Sequence, residues 1–366
     1  MKTTLKNILL PQAKSNIKAG DGHTLGQYKF FTSSQIQSKY INSAEYFKPG
    51  LIFGTGGSPS IHFCNTPFST STDCLVMYAK DNTNLEFVYQ YLKSRMYLLE
   101  RGFRGAGLKH ISKSYILDIQ IEVPESKTQE KAVETFNILE NIIIKKNQQI
   151  VLLNDIIKSR FNEMFGSIAQ DCLKYPLKKL GAVSDVGSSH RVFTHEFAED
   201  GIPFYRGTEI GELAAGRQPS KPFYITEEHY LRLIEDGTKP MLGDLLMPSI
   251  CNKGQVWMVD TKQPFYYKDG RVLSISPNRE IFNPKYLQCY LREKTIVEYP
   301  KMGSGSTFAE FKIFLLKDLD IAIPPIELQN QFADFVAQVD KSKLAVQQSL
   351  NELETLKKSL MQQYFG

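Results

Sequence analysis

The residues best suited to chemistry in this chain are hydrogen-bonding and cationic side chains gathered in short, glycine-loosened runs. Ser33, Ser34 and Gln35 lie in KFFTSSQI, and Thr55, Gly56 and Gly57 in GTGGSP. Arg101, Arg104, Lys109 and His110 crowd into RGFRGAGLKH. Farther along stand Ser188, Ser189, His190 and Arg191, then Arg206 and Thr208, then Lys253 and Gln255. Groups of this kind recognise rather than transform. A Gln carboxamide pairs bidentately with adenine in a major groove, and an Arg guanidinium with guanine. Glycine lets backbone N–H groups approach a phosphate closely. Each run also has a plainer reading: FTSSQI as a turn before a strand, GTGGSP as a hairpin turn, RGFRGAGLKH as a solvated loop. GTGG lacks the GK[ST] ending of a phosphate-binding P-loop, which excludes that kind of nucleotide site.

Residues that make and break bonds are not arranged to do so. A metal-dependent nuclease needs clustered carboxylates, and here the acids are dispersed. The nearest imitation, Glu125-Ser126-Lys127, falls where a helix is expected to begin. A DNA methyltransferase would need a Gly-rich cofactor loop and an Asn/Asp-Pro-Pro motif, but Asn283–Pro284 is followed by Lys285. No GxSxG or HExxH run occurs, and the six histidines show no ligand spacing. The five cysteines, Cys64, Cys74, Cys172, Cys251 and Cys289, form no CxxC pair. They are read as reduced packing residues, with no zinc site or disulfide framework. The chain is expected to be no enzyme and to carry no cofactor or metal of its own.

Composition places these residues in an ordinary globular protein, 42% hydrophobic and 23% charged. The longest apolar candidate for a membrane span, Asn141 to Ile157, is broken by Lys145, Lys146, Asn147, Gln148 and Gln149. The opening MKTTLKNILLPQAKS has no sustained apolar core or small-residue cleavage site, so a cytoplasmic location is expected. The net charge of +5 is unevenly spread. Residues 1–120 carry 14 Lys/Arg against 7 Asp/Glu, whereas residues 167–320 carry 20 of each. A basic first domain suits a polyanionic partner.

The elements that must position these groups come in two copies. The segment from Pro124 to Gly166 aligns without a gap on Pro324 to Gly366, pairing Gln129 with Gln329, Leu153 with Leu353, Lys158–Ser159 with Lys358–Ser359 and Phe165–Gly166 with Phe365–Gly366. Both copies run from an alternating strand (DIQIEVP, DLDIAIPP) through proline into an expected helix of about 40 residues that stops at Phe-Gly. At 1.5 Å per residue each helix would be about 60 Å long. Along them, Leu139, Ile143, Ile150, Leu153 and Ile157 in the first copy, and Val339, Val346, Leu350, Leu353 and Leu360 in the second, recur at 3–4 spacing. Lys146 and Arg160 interrupt one seam, Lys343 and Lys357 the other. Seams of this kind pack on a partner, and the simplest partner is the other copy.

The repeat reaches more weakly into the globular parts. YKFFTSSQI resembles IPFYRGTEI, LIFGTGG resembles LLMPSIC, FSTSTDCLVM resembles FYYKDGRVLSI, and VYQYL resembles YLQCYL. The offset grows from 174 to 200, so the second copy has about 26 extra residues, expected in loops between 211 and 245. The globular parts read as short β and aromatic runs punctuated by turn residues, with little helical periodicity.

In this order the parts resemble the specificity subunit of a type I restriction–modification system. The likeness rests on KFFTSSQI, on GTGG followed by FSTSTD, on KLGAVSDVG and GIPFYRGTEI opening the second domain, and on IPPIELQNQ leading into the last helix. It covers essentially the whole chain. It is weaker at VPESKTQEK, where the family shows a second proline and Glu-Gln. The resemblance implies an α+β, pseudo-two-fold molecule. Two related target-recognition domains, 1–123 and 167–323, would be joined by two long antiparallel helices, 124–166 and 324–366. Each domain would read half of a bipartite site in double-stranded DNA. The helices would set the spacing and dock two methyltransferase subunits, which carry S-adenosylmethionine and methylate adenine; a restriction/motor subunit can join them. The competing reading is a helical protein–protein scaffold whose globular heads do not read DNA.

Overall fold

The computed structural model describes residues 2–80, 83–302 and 309–365. The chain forms two compact units: Met1–Gln148 with Gln347–Gly366, and Gln149–Val346. Each long helix is therefore shared out. The central helix, Ser126–Phe165, gives its first part to the first unit and the rest to the second, and the C-terminal helix, Ile326–Phe365, does the reverse.

Both units are built to one plan. The first has a four-stranded antiparallel sheet in the order Leu9–Pro11, Cys74–Ala79, Gly50–Gly54, Ser60–Cys64. Beside it lies a three-stranded sheet, Lys39–Ile41, Tyr28–Phe31, Phe68–Thr70, whose second pair is parallel. Lys2–Thr4 pairs with Gln120–Glu122. The second unit repeats this with Ser184–Gly187, Val272–Pro277, Leu245–Pro248, Trp257–Met258 in one sheet. Phe223–Ile225, Ile202–Tyr205 and Tyr266–Tyr267 form the other, again with a parallel second pair, and Leu177–Lys179 pairs with Asp320–Ala322. A parallel pair needs a long crossover, so its recurrence at the same place marks the units as copies.

Two expectations are corrected. The extra residues of the second unit are not all loop, for two short helices form among them. They fall between strands, where 206–222 replaces 32–38 and 226–244 replaces 42–49, and they hold the helices Gly207–Ala214 and Glu227–Leu233. The globular parts also contain real helices at matching places, Leu85–Ser94 and Pro284–Glu298. VYQYL and YLQCYL read as β because their aromatics favour strands. Burial of Tyr286, Leu287, Tyr290 and Leu291 shows the four-residue recurrence of a helix face instead. Asn283 caps that helix by accepting from the Lys285 N–H at 2.9 Å, and Pro284 fills its first turn, where a missing N–H costs nothing. Asn-Pro here is a helix start.

The two long helices begin and end alike. Gln129 donates to the Pro124 carbonyl and Gln329 to that of Pro324, each at 2.8 Å, tying down the turn before the helix. The central helix stops at Phe165 because Gly166 turns into the left-handed region, φ +92°. Gly366, its counterpart, lies outside the described residues. Within each unit the two helix segments run antiparallel. In the first, Phe136 stacks on Phe365 and Glu140 meets Lys357. In the second, Phe161 packs on Phe332 and Lys343 donates to Asn154 at 3.0 Å. Leu139, Val339, Val346 and Leu350 are buried; Ile143, Ile150, Leu153, Ile157, Leu353 and Leu360 are half-buried.

Each core closes on the phenylalanine that ends a long helix. Phe365 packs against Phe87, Tyr91 and Phe136; Phe165 packs against Tyr286, Phe161 and Phe332. Burial pushes the thiols of Cys74 and Cys251 up to about 11, as for packing residues, while Cys172 is exposed. Among the described residues no helix is long and apolar enough to cross a membrane.

Glu140 meets both Lys93 (3.1 Å) and Lys357 (2.8 Å). Burial raises its pKa, but the two ammonium groups outweigh it and hold the carboxyl below its usual value. A depressed carboxyl stabilises the fold above its unfolded pKa, about 4.3, and that contribution disappears as pH falls through the folded value. Glu140→Gln is expected to melt below the parent near neutrality, with the gap closing as the pH falls below the ordinary carboxylate range; thermal melts of both proteins from neutral to acid pH check it.

Candidate nucleic-acid interface

The structure brings the first unit's candidates together at one end of the four-stranded sheet. Strand Tyr28–Phe31 delivers Ser33–Gln35, and the hairpin of Gly50–Gly54 and Ser60–Cys64 carries Thr55–Gly57 at its tip. The Asp73 carbonyl is the hub. It accepts from the Ser33 hydroxyl (2.7 Å), the Thr55 hydroxyl (2.9 Å) and the Thr55 N–H (2.8 Å). The basic loop is clasped to the same tip. Ile111 N–H donates to the Thr55 carbonyl (3.1 Å), Gly57 N–H to that of Lys109 (2.9 Å), and Arg104 and His110 bridge one another. The close approach of backbones is paid for by glycine, since a Cβ on Gly54 would strike Ser33 and Ser60.

This geometry changes the role expected of GTGG. The N–H groups of Thr55, Gly56 and Gly57 are all donated inside the protein, to Asp73, Ser33 and Lys109. They hold the loops together and do not cradle a phosphate. The groups left facing solvent are side chains: Ser34, Gln35, Arg101, Arg104, Lys109 and His110 are exposed. Gln35 also donates to the Pro59 carbonyl, and Arg101 lies over the Tyr97 ring, 5.0 Å from its centroid. Two neighbours missed in the sequence are Ile36 and Leu108, 73% and 69% exposed in the same loops. His62 bonds the Ser34 carbonyl at 2.8 Å, and burial pulls its pKa down, so it serves as neutral scaffold.

The second unit repeats the hub with different residues. Ser249 stands for Thr55: its N–H donates to Arg271 (2.9 Å) and its carbonyl accepts from Phe311 (2.8 Å). The match of LIFGTGG to LLMPSIC already sets Ser249 opposite Thr55. Arg271, exposed and paired with Glu310, takes the place of Asp73, the position that FSTSTDCLVM and FYYKDGRVLSI give it when the two runs are aligned from their ends. The glycine has changed sides, for it is now Gly207 whose Cβ would crowd Pro248. Arg206 is held by Glu209, which accepts from its backbone N–H (2.8 Å), Nε (3.1 Å) and Nη2 (2.6 Å), and its guanidinium lies 4.3 Å from the Phe223 ring centroid. That carboxylate, drawn up by burial but further down by Arg206, stays ionised.

The remaining candidates divide. Ser188 joins the hub region, donating to Val272 and accepting from the Gly270 N–H. Ser189 is buried and its hydroxyl donates to Tyr267 at 2.5 Å, so it anchors its loop. His190 pairs with Asp236 at 2.7 Å, and Arg191 lies over Phe193. Thr208, Lys253 and Gln255 line a cavity behind the hairpin tip. Among the described residues no cluster of His, Cys, Asp or Glu is arranged to hold a metal.

The twofold occurrence of this site has a match among known families. The family model for the type I restriction modification DNA specificity domain matches residues 7–154 and again 174–355. The chain belongs to this specificity family. Among its relatives, the type I restriction enzyme MjaVIII specificity subunit of Methanocaldococcus jannaschii is 21% identical over 75% of this chain and 68% of its own length. The putative MjaX specificity subunit of the same organism is 27% identical over 34% of this chain and 31% of its own. The fold is likewise that of a specificity subunit. The S subunit of a type I restriction-modification system from M. genitalium covers all of this chain and 96% of its own, with TM-score 0.62 at 14% identity. A chain from a structure on complex assembly and conformational transition of the type I R-M system covers 100% and 97%, with TM-score 0.57 at 16% identity. As a specificity subunit the chain carries two target-recognition domains and two long helices, the α+β architecture its sequence implies.

Proposed function

We propose that this chain is the non-catalytic sequence reader of a type I restriction–modification complex, each unit reading one half of a bipartite site in double-stranded DNA. The observation that carries the reading is the repeated hub: one hairpin tip, held by the same two backbone hydrogen bonds in both units, gathers polar and basic side chains from separate loops. Base edges are read by Gln35, Arg104, Arg206 and their neighbours, while Arg101, Lys109, Lys253 and Arg271 meet phosphates. Exposed Ile36 and Leu108 suit thymine methyl groups.

The long helices dock two methyltransferase subunits, which bring S-adenosylmethionine; restriction/motor subunits join where the system includes them. Support comes from the outward face of the central helix. It leaves Ile138, Ile142 and Ile144 exposed in the first unit, and Val151, Leu152 and Ile156 in the second. Apolar side chains exposed in such number mark a surface that a partner covers.

Long-read detection of modified bases tests the reading, in strains with and without this gene and with the methyltransferase present in both. The expected result is an adenine motif of two short blocks around an unspecified gap, lost on deletion. Identical methylomes, with salt-insensitive DNA binding, would overturn it in favour of a scaffold.

A further inference from the structure

Arg206 stands where the strand Ile202–Tyr205 runs into the hub of the second unit, next to Gly207, whose Cβ would crowd Pro248. The strand Tyr28–Phe31 runs into the first hub at Thr32, and FFTSSQI against FYRGTEI sets Thr32 opposite Arg206 and Gln35 opposite Glu209. The first unit therefore has no arginine at this place. We propose, resting on the recognition reading above, that Arg206 is a specificity-determining residue that reads a guanine in the second unit's half-site, with Glu209 and Phe223 as its positioning residues.

A guanidinium carries two forks of parallel N–H groups. The side fork of Arg206 is closed by Glu209, Nε donating to Oε2 (3.1 Å) and Nη2 to Oε1 (2.6 Å). The end fork, Nη1 with the second N–H of Nη2, has no partner among the described residues. Of the pair it is the arginine that meets solvent, its side chain 38% exposed against 4% for Glu209. Two parallel donors suit the O6 and N7 acceptors that guanine presents in the major groove. Adenine would set its N6 donor against one of them, cytosine offers an N4 donor, and thymine has O4 alone.

The free fork is held still. Glu209 is itself anchored by the Arg206 backbone N–H (2.8 Å), and the guanidinium lies 4.3 Å from the centroid of Phe223, a ring that stacks on Phe197 at 4.7 Å. A side chain ordered beforehand loses little freedom on binding. Charge then favours a base over a phosphate. The carboxylate beside Arg206 cancels most of its field and repels a phosphate group. The acceptors on a base edge are neutral, so they need aligned donors rather than net charge.

In cells that hold the methyltransferase, long-read detection of modified bases compares the parent chain with Arg206→Ala. The parent motif should carry a G·C pair that Arg206→Ala turns into an unspecified position, with the other block and the gap unchanged. A purely structural ion pair would not alter the base required at one position. Arg206→Ala strands a buried carboxylate, so Arg206→Met with Glu209→Leu, which removes both charges together, is the second variant. On the parent complex, 7-deazaguanine, which lacks N7, replaces each motif guanine of a duplex in turn. Binding should weaken about tenfold at one of them, and the double variant should be indifferent there. A motif without a G·C pair, relaxation at an A·T position instead, or undiminished binding to every 7-deazaguanine duplex would each overturn the proposal. A motif that depends on this gene but not on Arg206 refutes the guanine assignment alone; a methylome that does not depend on the gene refutes the recognition reading beneath it.

Discussion

Phe161→Ala is expected to lower the stability of the second unit by about 3–5 kcal/mol. Phe161 is 3% exposed and packs against Phe165, Tyr286, Tyr290 and Phe332, so truncation removes the ring at the centre of an aromatic knot. Its neighbours are rings anchored on three helices, which cannot collapse far into the void. The single tryptophan, Trp257, is buried in this unit and provides the readout. Urea denaturation followed by its fluorescence should show a midpoint well below that of the parent. An unchanged midpoint would mean that the knot contributes little.

Gly166→Ala should be the most damaging of the glycine changes. At φ +92° a side chain costs about 1–3 kcal/mol in backbone strain. The new Cβ would also land on the Cys172 carbonyl oxygen, a backbone atom of the short ladder in which Gly166 pairs with Leu173. Strain and collision add, and neither can be relieved by a side-chain turn. Gly57→Ala is the control: φ is +84° but nothing lies within 4 Å of its Cβ, so strain alone acts, about 1–2 kcal/mol. Thermal melts of the two variants should rank Gly166→Ala clearly below Gly57→Ala, and the reverse order would refute the clash argument.

What could be read from the sequence was whatever is written locally. Pro124 and Pro324, Gln129 and Gln329, and the Phe-Gly stop mark both long helices because they act on neighbouring residues. The seams were legible because burial follows helical spacing over many turns. The helix Pro284–Glu298 was missed because its buried aromatics mimic a strand over a short window. The helices within 206–244 replace short connections of the first unit, so the repeat had nothing to compare them with. At the site, residue types were readable but hydrogen-bond partners were not. That the Gly57 N–H is given to Lys109, or the Phe311 N–H to Ser249, depends on which segments meet, and distant pairing leaves no mark on nearby sequence.

The sharing of each long helix between the units bears on how the chain is made. The second unit draws on one unbroken stretch, Gln149–Val346, and can close as soon as that stretch has left the ribosome. The first cannot. Phe365 fills its core between Phe87, Tyr91 and Phe136, and Lys357 neutralises Glu140, across a sequence separation of 217 residues. Domains made first usually fold first, and here synthesis inverts that order. The earlier-made domain waits with an open apolar groove while the later one forms, and is completed by the last residues described. A released chain truncated after residue 346 would hold the whole second unit and an unfinished first.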